Sequence, residues 1–171
     1  MKKYEFTGET KEIRLLFRTA TLHRIRATVA FGIVEVGDLG GWIEKEENLS
    51  HEGKAWVCGD AEVWGNAKVW GNAKVCGDAK VCGDAEVFSA SHVLVIGAIG
   101  SRNDFTTFYR DKDNEITVKC GCFLGKIDRF LEKVTQTHGD SKYALVYRAA
   151  VEVAKLQIDL SGEAPKDADE E

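Results

Sequence analysis

The chain has 171 residues, of which 44% are hydrophobic and 30% charged, and a formal net charge of −5; these values suit one globular unit with small accessory lobes. No apolar run approaches the ~18 residues of a membrane-spanning helix, and Met1 to Ile13 lack the apolar stretch of a secretory signal, so a soluble, cytoplasmic protein without a membrane partner is expected. Five cysteines, Cys58, Cys76, Cys82, Cys120 and Cys122, are an odd number without scaffold spacing, which agrees with a reducing compartment.

Residues 1–40 alternate in strand fashion, as in Leu22 to Ala27 and Phe31 to Val36, and predict short strands forming an N-terminal β cap. This region holds the most basic stretch, with Lys11, Arg14, Arg18, Arg24 and Arg26 against Glu12. Alternation sends some of these cations to opposite faces, so they form no continuous stripe, and nucleic acid is disfavoured as a partner. Residues 41–98 are dominated by a repeat. From Gly53 to Phe88 the sequence Gly-(Asp/Asn/Lys)-Ala-x-Val-(Trp/Cys/Phe) recurs six times without an insertion. A six-residue period is too short for a helical repeat and predicts a mainly β chain built on a parallel β-helix, three hexads to each triangular coil. Nine hexads in one register span residues 41–94, the first two degenerate with Ile43 and Leu49 in the alanine slot, which gives about three coils. Residues 99–160 predict a C-terminal ββαα lobe. Its strands are Thr106 to Arg110 and Glu115 to Phe123, joined by the turn Asp111-Lys112-Asp113-Asn114. Its first helix carries Ile127, Phe130, Leu131 and Val134 on one face and ends at His138-Gly139-Asp140, and a second helical run extends from Ser141 to Leu160. Residues 161–171 carry −4 of the net −5, leaving −1 on the body, and read as a disordered acidic tail.

Within each hexad Ala and Val lie two apart and point the same way, filling a narrow core, while the residue between them and the one after Val point outward. The Gly-Asp or Gly-Asn pair supplies the corner. A coil of three hexads stacks residue n on n+18 at the ~4.8 Å strand spacing. Glu62 then faces Lys80, Lys68 faces Glu86, and Trp56, Lys74 and His92 share a column. The second outward slot gives the columns Cys58/Cys76, Trp64/Cys82 and Trp70/Phe88. So large an apolar surface marks an interface or a face under another segment of the chain. The interface reading makes Trp56, Trp64, Trp70 and Phe88 contacts of a homo-oligomer, with a trimer favoured.

Leu22 to Ala27, Gly37 to Ser50 and the Gly-Asn-Ala-x-Val hexads resemble phage and prophage hexapeptide-repeat proteins, commonly labelled polymer-forming cytoskeletal or putative transferase proteins. Ile99 to Asp104, Cys120 to Phe123 and His138-Gly139 resemble one tail type of that group. The resemblance covers nearly everything up to residue 160. It implies a left-handed β-helix and a mobile-element setting in which small binding proteins counter host defence, and it names no reaction.

Left-handed β-helices also form the hexapeptide acyltransferases, which use a histidine base in an intersubunit cleft and a projecting loop. Gly53 to Phe88 has neither. His51, in an inward valine slot, and His92, in an outward slot, both read as structural. Cys120 and Cys122 lie on one face of a strand that His138 could approach, but the spacing is tight for zinc and a fourth ligand is lacking, so buried thiols are expected and no metal or cofactor. Cys58 and Cys76 fall within disulfide range, although a reducing compartment argues against a bond. Gly97 to Asp104 sets small residues before a hydroxyl, a guanidinium and an amide. Such a turn can offer N–H groups and an arginine fork to a phosphate, or it can be the exit from the last coil. Ser101, Arg102, Asn103, Thr106, Thr107 and Tyr109 are the candidate ligand-binding residues, with a nucleotide as the natural guess. The sequence reads as a non-enzymatic, oligomeric binding protein that sequesters a nucleotide-like ligand or a host defence protein. A hexapeptide acyltransferase and a structural assembly module are the alternatives.

Overall fold

The computed structural model describes residues 1–162. All but the first two residues of the expected acidic tail therefore lie outside the described residues. An antiparallel hairpin comes first, β1 (Tyr4–Arg14) against β2 (Thr19–Ala27), with Tyr4 opposite Ala27 and Arg14 opposite Thr19. Alternation buries Ala20 and Leu22, and after a break at His23–Arg24 it buries Ile25 and Ala27, all at most 2% exposed. β3 (Leu39–Ile43) joins β2 antiparallel and then begins the repeat region by pairing in parallel with β5 (Glu62–Val63).

The hexads form strands of only two residues: β4 (Trp56–Val57), β5, β6 (Lys68–Val69), β7 (Lys74–Val75), β8 (Lys80–Val81) and β9 (Glu86–Val87). Their pairings set Trp56 against Lys74, Glu62 against Lys80 and Lys68 against Glu86. Every corner glycine from Gly53 to Gly83 has φ between 61° and 69°, a region that costs other residues steric strain. Ala55 to Val87 at the inward slots are at most 1% exposed and share one core with Tyr4, Ile25, Ile43 and Tyr109.

The architecture is nevertheless not a left-handed β-helix, and that expectation, with the mainly β class, is corrected. Among the described residues thirteen strands, from two to eleven residues long, fall into separate sheets of two to five strands and are accompanied by two helices. No long parallel sheet is built among the described residues. The reason is strand length: Gly-Asp and Gly-Asn corners interrupt each parallel strand after two residues, whereas the long strands are antiparallel and lie outside the repeat.

Three details of register also differ. Ile43 pairs with Val63 and Leu49 with Val69, so both take the valine slot and not the alanine slot. The offset is even, and a two-residue shift keeps each side chain on its own face. Gly41 lies here because a Cβ would come 2.6 Å from the Ala61 carbonyl oxygen. His51 falls outside the slot it was assigned, stacked on Tyr4 at 4.1 Å with Nδ1 accepting from the Lys3 N–H. The last hexad, 89–94, is absent: Ala90–His92 form a 3-10 turn, and His92 turns inward, 2% exposed, to accept from the Phe88 N–H.

The remaining chain forms an antiparallel sheet of four strands, β10 (Val93–Ile99), β11 (Asp104–Arg110), β12 (Ile116–Cys120) and β13 (Phe123–Lys126), followed by α1 (Ile127–His138) and α2 (Lys142–Gln157). Phe130 and Val134 of α1 meet Ala144, Tyr147, Val151 and Ala154 of α2 over Phe108 and Val118 in a second core. No described helix is long and apolar enough to cross a membrane.

Polar side chains finish both ends of the repeat, where backbone groups would otherwise lack ladder partners. At the first end Lys3 Nζ donates to Ala55 O (2.8 Å) and Glu52 O (3.3 Å), and the Tyr4 hydroxyl donates to Leu49 O (2.8 Å). At the other, the Tyr109 hydroxyl donates to Cys82 O (2.9 Å), Thr107 Oγ1 accepts from Lys80 N–H (3.0 Å), and Arg110 reaches Glu86 O.

Lys3 gives a pH signature. Burial lowers its pKa from 10.5 to about 8, against the opposing pull of Glu52. Between those values the unfolded chain binds more protons than the folded one, so this group makes stability rise with pH, by at most ~1.4 kcal/mol per unit. Burial, with Glu46 and Glu47, pushes the Tyr4 phenol upward from 10.0, and that contribution is lost as pH climbs above about 10. Urea midpoints are expected to rise from about pH 8 to 10 in the native chain and to flatten in Lys3→Met. An equal rise in both proteins would remove Lys3 as the cause.

Candidate anion cleft

The β10–β11 turn, the β12–β13 turn and the last two turns of α1 converge on a cleft of about 220 Å³. Its lining includes Ser101 and Arg102 from the first turn and Cys120, Cys122 and Phe123 from the second. Phe130, Lys133, Thr137 and His138 come from α1, and Tyr147 from α2. Charged groups in the lining are Arg102 and Lys133, and no carboxylate is among them.

Two glycines let these groups approach. Gly121, at φ 56°, leaves its backbone bare beneath Arg102, whose Nη1 would collide with any Cβ built there. Gly100, at φ 75°, does the same for the Tyr147 hydroxyl. Tyr147 is 5% exposed, edge-on to Phe130 at 5.7 Å and stacked near His138 at 5.7 Å. Burial, then the neighbouring Cys120 thiol, raises its phenol above the ordinary value, so it stays a protonated donor into more alkaline solution than an exposed tyrosine. Guanidinium, ammonium and phenol are all donors, set over an apolar floor of Phe123 and Phe130. That is a donor set for a small anion carrying an aromatic or apolar part.

The candidates from sequence divide. Ser101 and Arg102 lie in the cleft. Asn103 is exposed at φ 48°, its N–H donating to Gly100 O, and it shapes the turn without lining the cleft. Thr106, 1% exposed, donates to Cys120 Sγ behind the cleft. Thr107 and Tyr109, 1% and 0% exposed, close the end of the repeat and are not in the lining of the cleft. Lys133, Thr137 and Tyr147 join the lining from outside that set of candidates. A signal existed, since Phe130, Val134 and His138 are spaced four apart on α1, with Lys133 and Thr137 on the adjoining strip.

The proposed interface residues lie under the chain itself. Trp64 is 5% exposed beneath Ile13, Leu15, Leu22 and Trp42. Trp56, 5% exposed, meets Tyr4 and Phe31. Phe88, 8% exposed, lies between Trp70, His92 and the Arg110 guanidinium. Trp70 alone is half-buried.

Cysteine chemistry also departs from expectation. Cys58 and Cys76 are joined by a disulfide, with Cα atoms 4.6 Å apart. Cys122 is exposed and Cys120 intermediate, so the pair is not buried. Among the described residues no group of three His, Cys, Asp or Glu side chains could hold a metal ion.

No family model matches the chain, and no curated protein matches it. The β-helical architecture that went with the expected phage hexapeptide-repeat, anti-defence setting is corrected by the separate small sheets, and no match lends that setting support.

Proposed function

We propose that the protein is a non-enzymatic binding protein that holds a small nucleotide-like anion in the cleft between Arg102 and Lys133. The observation that carries this reading is a lining with two cations, a buried phenol and aromatic walls but no carboxylate. At about 220 Å³ the cleft is smaller than the ~300–1,000 Å³ usual for whole drug-sized ligands. It suits a phosphate with a ring-sized neighbour, the remainder of the ligand lying over the exposed rim. His51 and His92 are engaged outside the cleft, with the backbone N–H groups of Lys3 and Phe88, while His138 lies in its lining, stacked near Tyr147.

A charge-assisted hydrogen bond is worth roughly 1.5–3 kcal/mol. Arg102→Ala is therefore expected to weaken binding of a nucleoside monophosphate by about 10- to 100-fold in calorimetric titration, with Arg102→Lys intermediate because the fork is lost and the charge kept. Equal affinity in the native and Arg102→Ala proteins, or no binding by either, would sink the reading.

A further inference from the structure

A second and larger cleft, about 350 Å³, lies between the Phe31–Val34 turn and the outer face of β4 and β7. Phe31 and Val34 exchange backbone hydrogen bonds of 3.0 and 2.8 Å, closing a tight turn whose tip carries Ile33. Trp56 backs the cleft. Its indole is held by the Phe31 ring at 5.3 Å, and the Lys3 ammonium stands 4.9 Å from the centre of that ring. The Cys58–Cys76 disulfide forms part of the floor and ties the ends of β4 and β7 together. The walls are thus pinned by covalent and backbone bonds, and little ordering remains to be done when a ligand enters.

Two features of this cleft have no use in the fold. Ile33 is 84% exposed at the rim, where its aliphatic surface gains nothing from water. Lys54 and Lys74 are the charged residues of the lining, both exposed, and neither takes part in an ion pair among the described residues. The lining contains no carboxylate. An uncovered aliphatic tip, an aromatic wall and two ammonium groups at the mouth complement one kind of molecule: an apolar body ending in a single negative charge. A metal cation finds no anionic ligand here, and a strongly hydrated anion such as inorganic phosphate gains nothing from Trp56 and Ile33.

We infer that the Phe31–Trp56–Lys74 cleft is a binding site for an amphipathic organic monoanion, a free carboxylate with an aliphatic or aryl body. The apolar part lies between Ile33, Val34 and Trp56, and the carboxylate lies between Lys54 and Lys74. The site is independent of the nucleotide-like anion proposed for the Arg102 cleft.

Decanoate, titrated calorimetrically into the full chain below its micelle concentration, tests this. Decanoate is expected to bind, and decanol, with the same tail and no charge, to bind at least fivefold more weakly. Lys54→Glu combined with Lys74→Glu, both at exposed positions, is expected to weaken decanoate at least tenfold while leaving the far-UV circular dichroism unchanged. Ile33→Ser, an uncharged change at the exposed tip, is expected to weaken decanoate and decanol alike. Arg102→Ala is expected to leave decanoate binding unchanged. The inference is overturned if decanoate does not bind, if decanol binds as tightly, if the double charge reversal binds decanoate like the native chain, or if Arg102→Ala abolishes binding. That last result would move the anion to the other cleft.

Discussion

Trp64→Ala is expected to lower the free energy of unfolding by about 3–5 kcal/mol, the range for emptying a buried aromatic site. Trp64 is 5% exposed and packs against Leu22, Trp42 and Cys82, with Ile13 and Leu15 closing the cluster. The indole is thus the contact through which the N-terminal hairpin adheres to the repeat. Ion pairing adds to it at the edge, where Lys11 Nζ lies 2.8 Å from Glu62 and 4.5 Å over the Trp42 ring, but such half-exposed pairs contribute only ~0.2–1 kcal/mol. Urea denaturation followed by circular dichroism measures the loss. A change below about 1 kcal/mol in a monomeric sample would mean that Trp64 is not covered by the hairpin in solution.

A comparable loss, about 3–4 kcal/mol, is expected for Asp111→Ala. The Asp111 carboxylate is 3% exposed and accepts four hydrogen bonds: Oδ1 from the N–H groups of Asp113 (2.9 Å) and Glu115 (3.2 Å), Oδ2 from the Thr117 hydroxyl (2.7 Å) and Lys126 Nζ (3.3 Å). Its backbone bridges to Ala85, and the next residue, Lys112, donates its N–H to Asp84 O. This one side chain shapes the β11–β12 turn and docks it on the repeat. Alanine would strand several donors, each at a cost of roughly 1–3 kcal/mol where buried. Asparagine keeps an oxygen for the two backbone N–H groups, so Asp111→Asn is expected to lose about half as much. Equal losses for the two variants would point to charge pairing with Lys126 as the whole effect, and the hydrogen-bond account would fail.

What could be read from the residues divides along a physical line. The period of the hexads foretold the neighbours, because identical spacing forces Glu62 beside Lys80 and Lys68 beside Glu86. It did not foretell the architecture. A periodicity says which way a side chain points and nothing about how far a strand continues, so two-residue strands were extrapolated to a β-helix that the separate small sheets overturn. Nor does outward pointing decide what lies outside. Trp56 and Trp64 look like an interface in the sequence because the covering residues, Phe31, Ile13 and Leu15, are distant along the chain and carry no mark of their destination. The two-residue offset at Ile43 and Leu49 was hidden for a similar reason, since an even shift leaves the alternation unchanged. At the Arg102 cleft, the turn's own Ser101 and Arg102 were legible from local composition. Lys133 and Tyr147 arrive from helices more than thirty residues later, and Thr107 and Tyr109 were misassigned because a strand residue shows no sign of which end of a neighbouring stack it will close.

The polar finish at both ends of the repeat has a bearing on how the molecule behaves in a crowd. A stack of parallel strands exposes, at its first and last layers, the same bonding groups that joined the layers within, and such an edge can recruit a strand from another chain. Here Lys3 and Tyr4 occupy carbonyls at one end, while Thr107, Tyr109 and Arg110 occupy partners at the other. Each engaged group is one that an incoming strand cannot use. The stack thereby offers fewer free bonding groups for end-on templating by another chain.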